Sequence, residues 1–153
     1  MKAWQRFVVS AGATARRLGN GLTLGVRVAA FDSAGQVYLV RHRHLPGWYL
    51  PGGAVEPGES AAAAATREVA EEAAISAARL DLFGLYFNAH LNRRDHVALF
   101  LCREWTRLPN PRPSVEIAEG GFFSRRELPD GVTDATVRRL AEILDGRSLT
   151  EEW

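Results

Sequence analysis

The sequence predicts a protein of the α/β class, a sandwich of helices around a mixed β-sheet. Two segments typical of β-hairpins, at 22–41 and 80–105, alternate with two segments typical of helices, one beginning near Ser60 and one at 133–144. Helices interleaved with antiparallel hairpins are characteristic of this class. A chain of 153 residues has the size of one domain with a sizeable core.

We expect the core of this single domain at about 20–146, preceded by an N-terminal extension at 1–18. The extension is predicted to be helical, because Trp4, Phe7 and Val8 recur at helical spacing. It would pack at the edge of the domain or serve contacts in a homodimer.

The first hairpin is predicted from apolar and β-branched residues at Leu22–Phe31, a turn at Asp32–Gly35 and alternating apolar residues at Gln36–Arg41. A short strand, Trp48–Leu50, follows and leads into the turn cluster Pro51-Gly52-Gly53.

The first helix is predicted to begin at Ser60, whose hydroxyl can cap it, and to continue through the alanines at 61–65. Its buried face is expected to combine small residues with one valine, namely Ala62, Ala65, Val69 and Ala73.

The second half of the chain is predicted to contain a long hairpin, an extended segment and a closing helix. The hairpin strands are expected at Leu80–Phe87 and His96–Trp105 around a polar loop. The remaining segments are a proline-rich loop at Thr106–Pro113, an extended stretch at Glu116–Phe123, a turn at Ser124–Pro129, an amphipathic helix at Thr133–Leu144 with Val137, Leu140, Ala141 and Leu144 on its apolar face, and a loose tail at Asp145–Trp153.

Composition narrows the possible functions. The net charge of +1 argues against binding to nucleic acid or to a membrane surface. No apolar stretch approaches the ~20 residues of a membrane span, and the N-terminus lacks the pattern of a signal peptide. The single cysteine, Cys102, follows an apolar run and is expected as a buried core thiol, which fits a reducing compartment. We therefore expect a cytoplasmic protein.

Three glutamates lie on one face of the first predicted helix. At about 100° per residue, Glu72 lies about 40° from Glu68, and Glu71 about 60° to the other side. Like charges at this spacing repel each other, and Arg67 and Arg79 are poorly placed to offset them. A divalent cation would offset them, because carboxylate oxygens suit magnesium or manganese. The alternative is an ordinary solvated acidic face.

A fourth glutamate, Glu59, lies nine residues before Glu68. It would face the opposite side if the helix extended back to it. It can join the other three only from the preceding loop, which Pro57-Gly58 supplies.

The spacing of this segment resembles the signature motif of the Nudix hydrolase superfamily. The matching positions are Gly53, Glu59, Arg67-Glu68-Val69, Glu71-Glu72 and Ile75. One position departs from the motif, because Ala74 stands where the family has glycine. Either Ala74 adopts the left-handed conformation, at a cost of about 1 kcal/mol, or the helix continues through Ile75-Ser76.

The resemblance implies a Nudix-type α/β/α sandwich and a magnesium site, with Mn²⁺ as a possible substitute. Glu68 and Glu72 would be the main ligands, Glu71 would bind the same or a second ion, and the carbonyl of Gly52 would contribute another oxygen. Glu59 would complete the cluster from its loop. Several carboxylates at short range raise one another's pKa values, so metal affinity should rise with pH.

The resemblance also implies the reaction, which is hydrolysis of the pyrophosphate bond in a nucleoside diphosphate linked to another group. Arg67 would orient Glu59 or Glu71 by a charge-assisted hydrogen bond. The general base would be a glutamate of the motif or one from a later loop. Glu68 and Glu116 are equal candidates, and Glu119 ranks behind them.

Two further segments are candidates for substrate binding. The basic loop that leads into the glutamate motif contains Arg41 and Arg43 with the histidines His42 and His44, and one of the arginines or a histidine could meet phosphates, or the loop could remain solvated.

Tyr86 and Phe87 flank the mouth of the predicted second hairpin, where either could stack on a base, although core packing is expected for at least one of them. Arg93 or Arg94 could contact phosphate. The expected partner is a small nucleotide-like molecule.

Two alternatives to a hydrolase remain. A catalytically idle Nudix-like domain could bind or sense a nucleotide, although it would not need all four glutamates. A role in RNA processing is disfavoured by the balanced charge.

Overall fold

The computed structural model describes residues 21–153 of the chain. The helix predicted for the N-terminal extension lies outside these residues. Within them the strands are β1 (Thr23–Ala30), β2 (Val37–His42), β3 (Trp48–Tyr49), β4 (Gly52–Ala54), β5 (Ile75–Phe87), β6 (Asp95–Arg107) and β7 (Ile117–Phe123), and the helices are α1 (Ala61–Ala73) and α2 (Asp134–Leu144).

The strands form two sheets. A four-stranded sheet has the order β4-β1-β6-β5, and a three-stranded sheet has the order β3-β2-β7. The larger sheet is mixed, because β1 runs parallel to β6, whereas the pairs β1–β4 and β5–β6 are antiparallel. The predicted α/β class with a mixed sheet is therefore confirmed.

The first predicted hairpin was wrong in its pairing. β1 and β2 belong to different sheets and meet only at a bridge between Phe31 and Val37. β1 instead pairs with β6, about seventy residues later in the sequence, beginning at Thr23 and Asp95. Strand patterns locate a strand but leave its partner open, because any strand with a matching apolar face can pair with it.

β5 begins at Ile75, earlier than the predicted start at Leu80. Ser76, Ala77 and Ala78 have low β propensity, and three register shifts between Ala77 and Gly84 interrupt the alternation by which strands are recognised. The chain passes from α1 into β5 with one residue between them.

The two helices lie on opposite sides of the larger sheet. Val28 packs in the cluster that contains Val69 of α1, whereas the next residue, Ala29, packs in the cluster that contains Leu140 of α2. Successive residues of a strand point to opposite faces, so each face of β1 is covered by a different helix. The buried residues of α1 are Ala64, Ala65, Val69 and Ala73, while Ala62 is exposed, contrary to its predicted place.

The C-terminal tail is not loose. The N–H of Phe87 donates to the carbonyl of Glu151 over 2.8 Å, and the N–H of Trp153 donates to the carbonyl of Phe87 over 2.9 Å. The Trp153 ring packs edge-on against Tyr86, with centroids 5.6 Å apart. The tail thus extends the edge of the larger sheet beside the end of β5.

This tail covers a buried ion pair on α2. Arg139 donates to Glu142 over 3.0 Å and to the carbonyl of Glu152 over 2.7 Å. In the sequence, charged residues at this spacing are typical of a solvent-exposed helix face, but the tail buries Arg139 and Glu142 in the folded protein. The buried residues of α2 consequently include Thr136 and Arg139 as well as Leu140. Leu144, which was predicted on the apolar face, is exposed.

Cys102 is fully buried, as predicted, and burial raises the pKa of its thiol to about 11. No helix within residues 21–153 is long and apolar enough to cross a membrane.

Candidate active site

The site lies in a cleft of about 760 Å³ between α1, β4 and the loop that joins β6 to β7. Glu68, Glu71 and Glu72 of α1 all line it. Their environments differ, because the side chains of Glu68 and Glu72 are only 12% and 7% exposed, whereas that of Glu71 is 59% exposed. Helical phase places the three glutamates on one face, and the depth of the cleft distinguishes them.

Local sequence fixes where this helix begins and ends. Ser60 has an extended backbone, and its hydroxyl accepts a hydrogen bond from the N–H of Ala63, so it is the N-cap that was predicted. At the other end Ala74 adopts the left-handed conformation, with φ 54° and ψ 36°, and its N–H donates to Ala70. The helix therefore ends at the motif position occupied by alanine, and Ala74 bears the strain that glycine would avoid.

The two glycines before the helix leave room for its carboxylates. A Cβ on Gly53 would collide with the carboxylate of Glu68. A Cβ on Gly52 would collide with the carbonyl of Val26 and would lie 2.8 Å from Cδ of Arg27. Gly52 requires glycine because the backbone of β1 lies too close for a side chain, whereas a side chain at Gly53 would displace the carboxylate of Glu68.

Glu72 is the deepest of the carboxylates. One oxygen accepts a hydrogen bond from the N–H of Gly52 over 2.9 Å, and the other lies 4.0 Å from Nε2 of His42. Burial raises the pKa of Glu72 to about 8, and the negative charges of Glu68 and Glu116 add to that effect. The positive charge of Arg27 opposes this rise, but Arg27 forms no salt bridge with Glu72, so the carboxylate is not directly paired with a cation among the described residues.

His42 does not provide a cationic partner. Burial, assisted by the positive charge of Arg27, lowers the pKa of His42 to about 4. Its imidazole is therefore neutral near pH 7, and its ring packs edge-on against Tyr49 with centroids 5.6 Å apart.

Arg67 connects three of the motif glutamates. It donates to both oxygens of Glu59, over 2.9 and 3.1 Å, and to Glu68 over 2.7 Å. Glu71 lies 3.7 Å from it, and the carbonyl of Ala54 accepts a further hydrogen bond over 3.0 Å. The prediction that Arg67 is poorly placed to offset the glutamates was wrong, because helical phase alone ignores how far an arginine side chain can reach.

The hydrogen bonds from Arg67 lower the pKa of both Glu59 and Glu68, but the net shifts of the two pKa values are opposite because Glu68 is buried. The pKa of Glu59, in the loop before α1, is lowered. Burial raises the pKa of Glu68 in spite of the hydrogen bond from Arg67. Two of the four motif carboxylates, Glu68 and Glu72, thus resist ionisation as they stand.

The donor set suits a hard divalent cation. Glu68 and Glu72 offer carboxylate oxygens in a buried site where ionisation needs a nearby positive charge, and oxygen ligands are those that Mg²⁺ prefers. Within residues 21–153 no three His, Cys, Asp or Glu side chains are already gathered as a ligand set. Glu59 in particular faces Arg67, so a metal would draw first on the two buried carboxylates.

The two later glutamates lie in different places. Glu116, at the end of the β6–β7 loop, lines the cleft, and its charge acts on Glu72. Glu119 pairs with Arg41 over 2.8 Å at the surface, where both side chains are about half exposed, and neither residue lines the cleft.

The remaining substrate-binding candidates also lie outside the cleft. Tyr86 is buried, and its hydroxyl donates to Glu142 over 2.8 Å, so its predicted role was wrong. Phe87 packs against His96, with centroids 5.4 Å apart, and contributes backbone groups that bind the tail. Arg43 and Arg93 are not among the residues that line the cleft.

Several cleft residues were missed from the sequence. Arg27, on β1, is a charge inside an otherwise apolar strand, and that interruption was the available signal. Tyr49 comes from the end of β3, and the β6–β7 loop contributes Leu108, Asn110, Arg112, Pro113, Ser114 and Val115. These loop residues carry no distinctive sequence pattern. His42, a histidine of the predicted basic loop, lies at the end of β2 and also lines the cleft.

Comparison with known proteins agrees with the motif. A profile of the NUDIX domain family matches residues 21–144. A Bacillus subtilis protein provisionally named an 8-oxo-dGTP diphosphatase is 39% identical over 75 residues, a match that covers 49% of this chain and 50% of that protein. The chain thus spans half the length of this curated relative.

Solved structures show the same fold. A MutT NUDIX hydrolase from Burkholderia pseudomallei is 25% identical with a TM-score of 0.68, covering 80% of this chain and 98% of that one. An ADP-ribose pyrophosphatase from Streptococcus suis is 27% identical with a TM-score of 0.61, covering 86% and 97%. The chain belongs to the Nudix hydrolase superfamily, as its glutamate motif predicted.

Proposed function

We propose that the protein hydrolyses the pyrophosphate bond of a nucleoside diphosphate linked to another group, with Mg²⁺ as the resident ion. The observation that supports this most directly is the pair of buried carboxylates, Glu68 and Glu72, on the floor of the cleft. A cleft of about 760 Å³ has room for a nucleotide.

Glu68, Glu71 and Glu72 would hold the ion, with the carbonyl of Gly52 as a further oxygen. When bound, the ion would neutralise charge on the phosphate oxygens and lower the pKa of a bound water. Because Glu72 is buried and not directly paired with a cation, its ionised form would be stabilised mainly in the metal-bound protein.

Arg67 acts as a positioning residue in this proposal. It anchors Glu59 at two points and Glu68 at one, so the loop that precedes α1 is held against the helix. Its contacts orient Glu68, and Arg67 forms no salt bridge with Glu72.

We assign the acceptance of the proton from the attacking water to Glu116. Glu116 lines the cleft and has no salt bridge to another described residue within 4.0 Å. Glu68 is less suited because Arg67 donates to it over 2.7 Å, and Glu119 is paired with Arg41 outside the cleft.

The relatives narrow the substrates to be tested. The Bacillus subtilis protein is named for 8-oxo-dGTP and the Streptococcus suis protein for ADP-ribose. Both compounds contain a nucleoside diphosphate linked to a further group. We place an oxidised purine nucleoside triphosphate first, because the relative named for 8-oxo-dGTP is 39% identical over its matched segment, whereas the one named for ADP-ribose is 27% identical.

The test is a substrate screen with identified products. The purified protein with Mg²⁺ would be incubated with 8-oxo-dGTP, dGTP, the other nucleoside triphosphates and ADP-ribose, and the products would be separated by mass. Hydrolysis in ¹⁸O-labelled water would show which phosphorus is attacked. Turnover that persists in EDTA would contradict the proposed dependence on a metal ion. Binding of nucleotides without any turnover would support a nucleotide sensor instead.

A further inference from the structure

Arg27 is a cation in the cleft whose role the glutamate motif does not explain. It projects from β1 opposite Gly52, with which it is paired in the sheet. Its stem crosses the space that a side chain on Gly52 would occupy, since a Cβ there would lie 2.8 Å from its Cδ. The absence of a side chain at Gly52 thus lets Arg27 extend along the floor of the cleft.

The guanidinium of Arg27 is held in place without being neutralised. One nitrogen donates to the carbonyl of Leu50 over 2.8 Å, and the group lies over the ring of Tyr49, 5.7 Å from its centroid. Tyr49 is itself fixed, because its hydroxyl donates to the carbonyl of Pro46 over 2.8 Å. No carboxylate within residues 21–153 lies within 4.0 Å of the guanidinium as a salt-bridge partner.

Two other arginines near the site are already paired with carboxylates, whereas Arg112 lines the cleft from the exposed β6–β7 loop and has no salt bridge among the described residues. Arg67 is occupied by Glu59 and Glu68, and Arg41 is paired with Glu119 away from the cleft. A guanidinium has five donors, and the contact with Leu50 uses one of them. Arg27 therefore offers a fixed, largely unused set of donors beside the carboxylates.

We propose that Arg27 binds a phosphate oxygen of the substrate, on the β1 side of the cleft facing the glutamates of α1. The inference rests on the proposed function, because it takes the substrate to carry a pyrophosphate. An arginine fork matches phosphate oxygens in charge and geometry, and an arginine already oriented by Leu50 and Tyr49 loses little freedom on binding. Arg27 and the metal-binding carboxylates would grip the pyrophosphate from opposite sides.

A purely structural role for Arg27 predicts a different result. The positive charge of Arg27 lowers the pKa of Glu72. Removing Arg27 could therefore reduce activity only by weakening metal binding. The two roles are separated by measuring anion binding without metal and metal binding without anion.

The experiment compares Arg27→Gln and Arg27→Lys with the unchanged protein and with Arg79→Gln as the matched control. Arg79 is an exposed arginine paired with Asp81 over 2.9 Å and does not line the cleft. Binding of inorganic pyrophosphate would be measured by calorimetry in EDTA at low salt. Binding of Mn²⁺ would be measured separately, without EDTA or pyrophosphate. KM and kcat would be measured with the best substrate of the screen. Thermal unfolding would verify the fold of each variant.

We expect Arg27→Gln to weaken pyrophosphate binding about tenfold to a hundredfold, with a similar rise in KM. The affinity for Mn²⁺ should change less than about threefold. The pyrophosphate affinity of Arg27→Lys should lie between those of the unchanged protein and Arg27→Gln, because an ammonium keeps the charge but lacks the paired donors of a guanidinium. If Arg27→Gln fails to fold, the lysine variant carries the same comparison.

The inference is overturned if the unchanged protein binds no pyrophosphate in EDTA, or if the Arg27 variants bind it as well as the control does. It is also overturned if only Mn²⁺ affinity changes. These results differ from failure of the proposed function, which would appear as absence of turnover by the unchanged protein on every substrate.

Discussion

Arg67 holds Glu59 by two parallel hydrogen bonds, 2.9 and 3.1 Å long, and so ties the loop before α1 to the helix itself. Glu59 cannot reach the other glutamates by helical phase and does not line the cleft, but this contact holds it against α1. The same guanidinium donates to Glu68 over 2.7 Å. One arginine thus organises two segments of the motif.

We expect Arg67→Lys to lower kcat about tenfold to a hundredfold, because an ammonium cannot hold both oxygens of Glu59 while contacting Glu68. The measurement is steady-state hydrolysis at saturating Mg²⁺, with Arg79→Lys as the control for loss of a guanidinium. Equal kcat values for the two variants would show that the two-point contact has no part in positioning the site.

Glu72→Gln is expected to lower kcat by about 10²- to 10³-fold while leaving the fold intact. The amide oxygen can still accept from the N–H of Gly52, so the local hydrogen bond survives. Circular dichroism and kinetics would be measured on the same preparation. A well-folded variant with normal turnover would exclude Glu72 from the catalytic machinery.

The same variant should change how metal-free stability depends on pH. Because burial raises the pKa of Glu72 from 4.5 to about 8, the folded protein binds more protons than the unfolded chain between these values. The contribution of Glu72 to the free energy of unfolding therefore falls as pH rises through this window. Urea unfolding in EDTA at several pH values should show a shallower decline for Glu72→Gln, and identical slopes would contradict the raised pKa.

Mg²⁺ affinity should rise with pH up to about 8 and then level off. Metal binds the ionised carboxylate, and at lower pH a proton must leave Glu72, so affinity should change by up to about tenfold per pH unit below its pKa of about 8. Calorimetric titration from pH 6 to 9 measures this. A flat profile across that range would mean that Glu72 is already ionised in the free protein.

Glu116→Gln and Glu119→Gln form a matched pair three residues apart. If Glu116 takes the proton of the attacking water, its loss should lower kcat about 10²- to 10⁴-fold, and the loss of Glu119 should have little effect. Rates would be compared across pH with the same substrate. A large defect in the Glu119 variant alone would reverse the assignment.

Ala74→Gly should stabilise the protein by about 1 kcal/mol, because glycine adopts the left-handed conformation of this position without a Cβ clash. Ala70→Gly, in the interior of α1, is the control and should destabilise by a similar amount. Chemical unfolding at one pH measures both. A destabilised Ala74→Gly would mean that the methyl group contributes packing that exceeds the backbone strain.

Local features of the fold were predictable from the sequence because their causes are local. Ser60 was recognised as a helix cap from its position before an alanine run, and the glutamates from their spacing along one helix. The exit at Ala74 was reduced to two conformations, of which the structure shows the left-handed one. Strand partners were not predictable in this way, and β1 pairs with β4 and β6 rather than with β2.

The sequence by itself determined the family and the helix that carries Glu68 and Glu72, since each depends on residues within about one short segment. Only the tertiary structure brought Arg27 of β1 beside that helix and withdrew Tyr86 into the core. Both results depend on contacts between residues far apart in the chain, where a charged or aromatic side chain has the same local pattern whether it faces a cleft or is buried. The tail at 147–153 illustrates the same point, because its contacts with Phe87 and Arg139 exist only once the sheet and α2 have assembled.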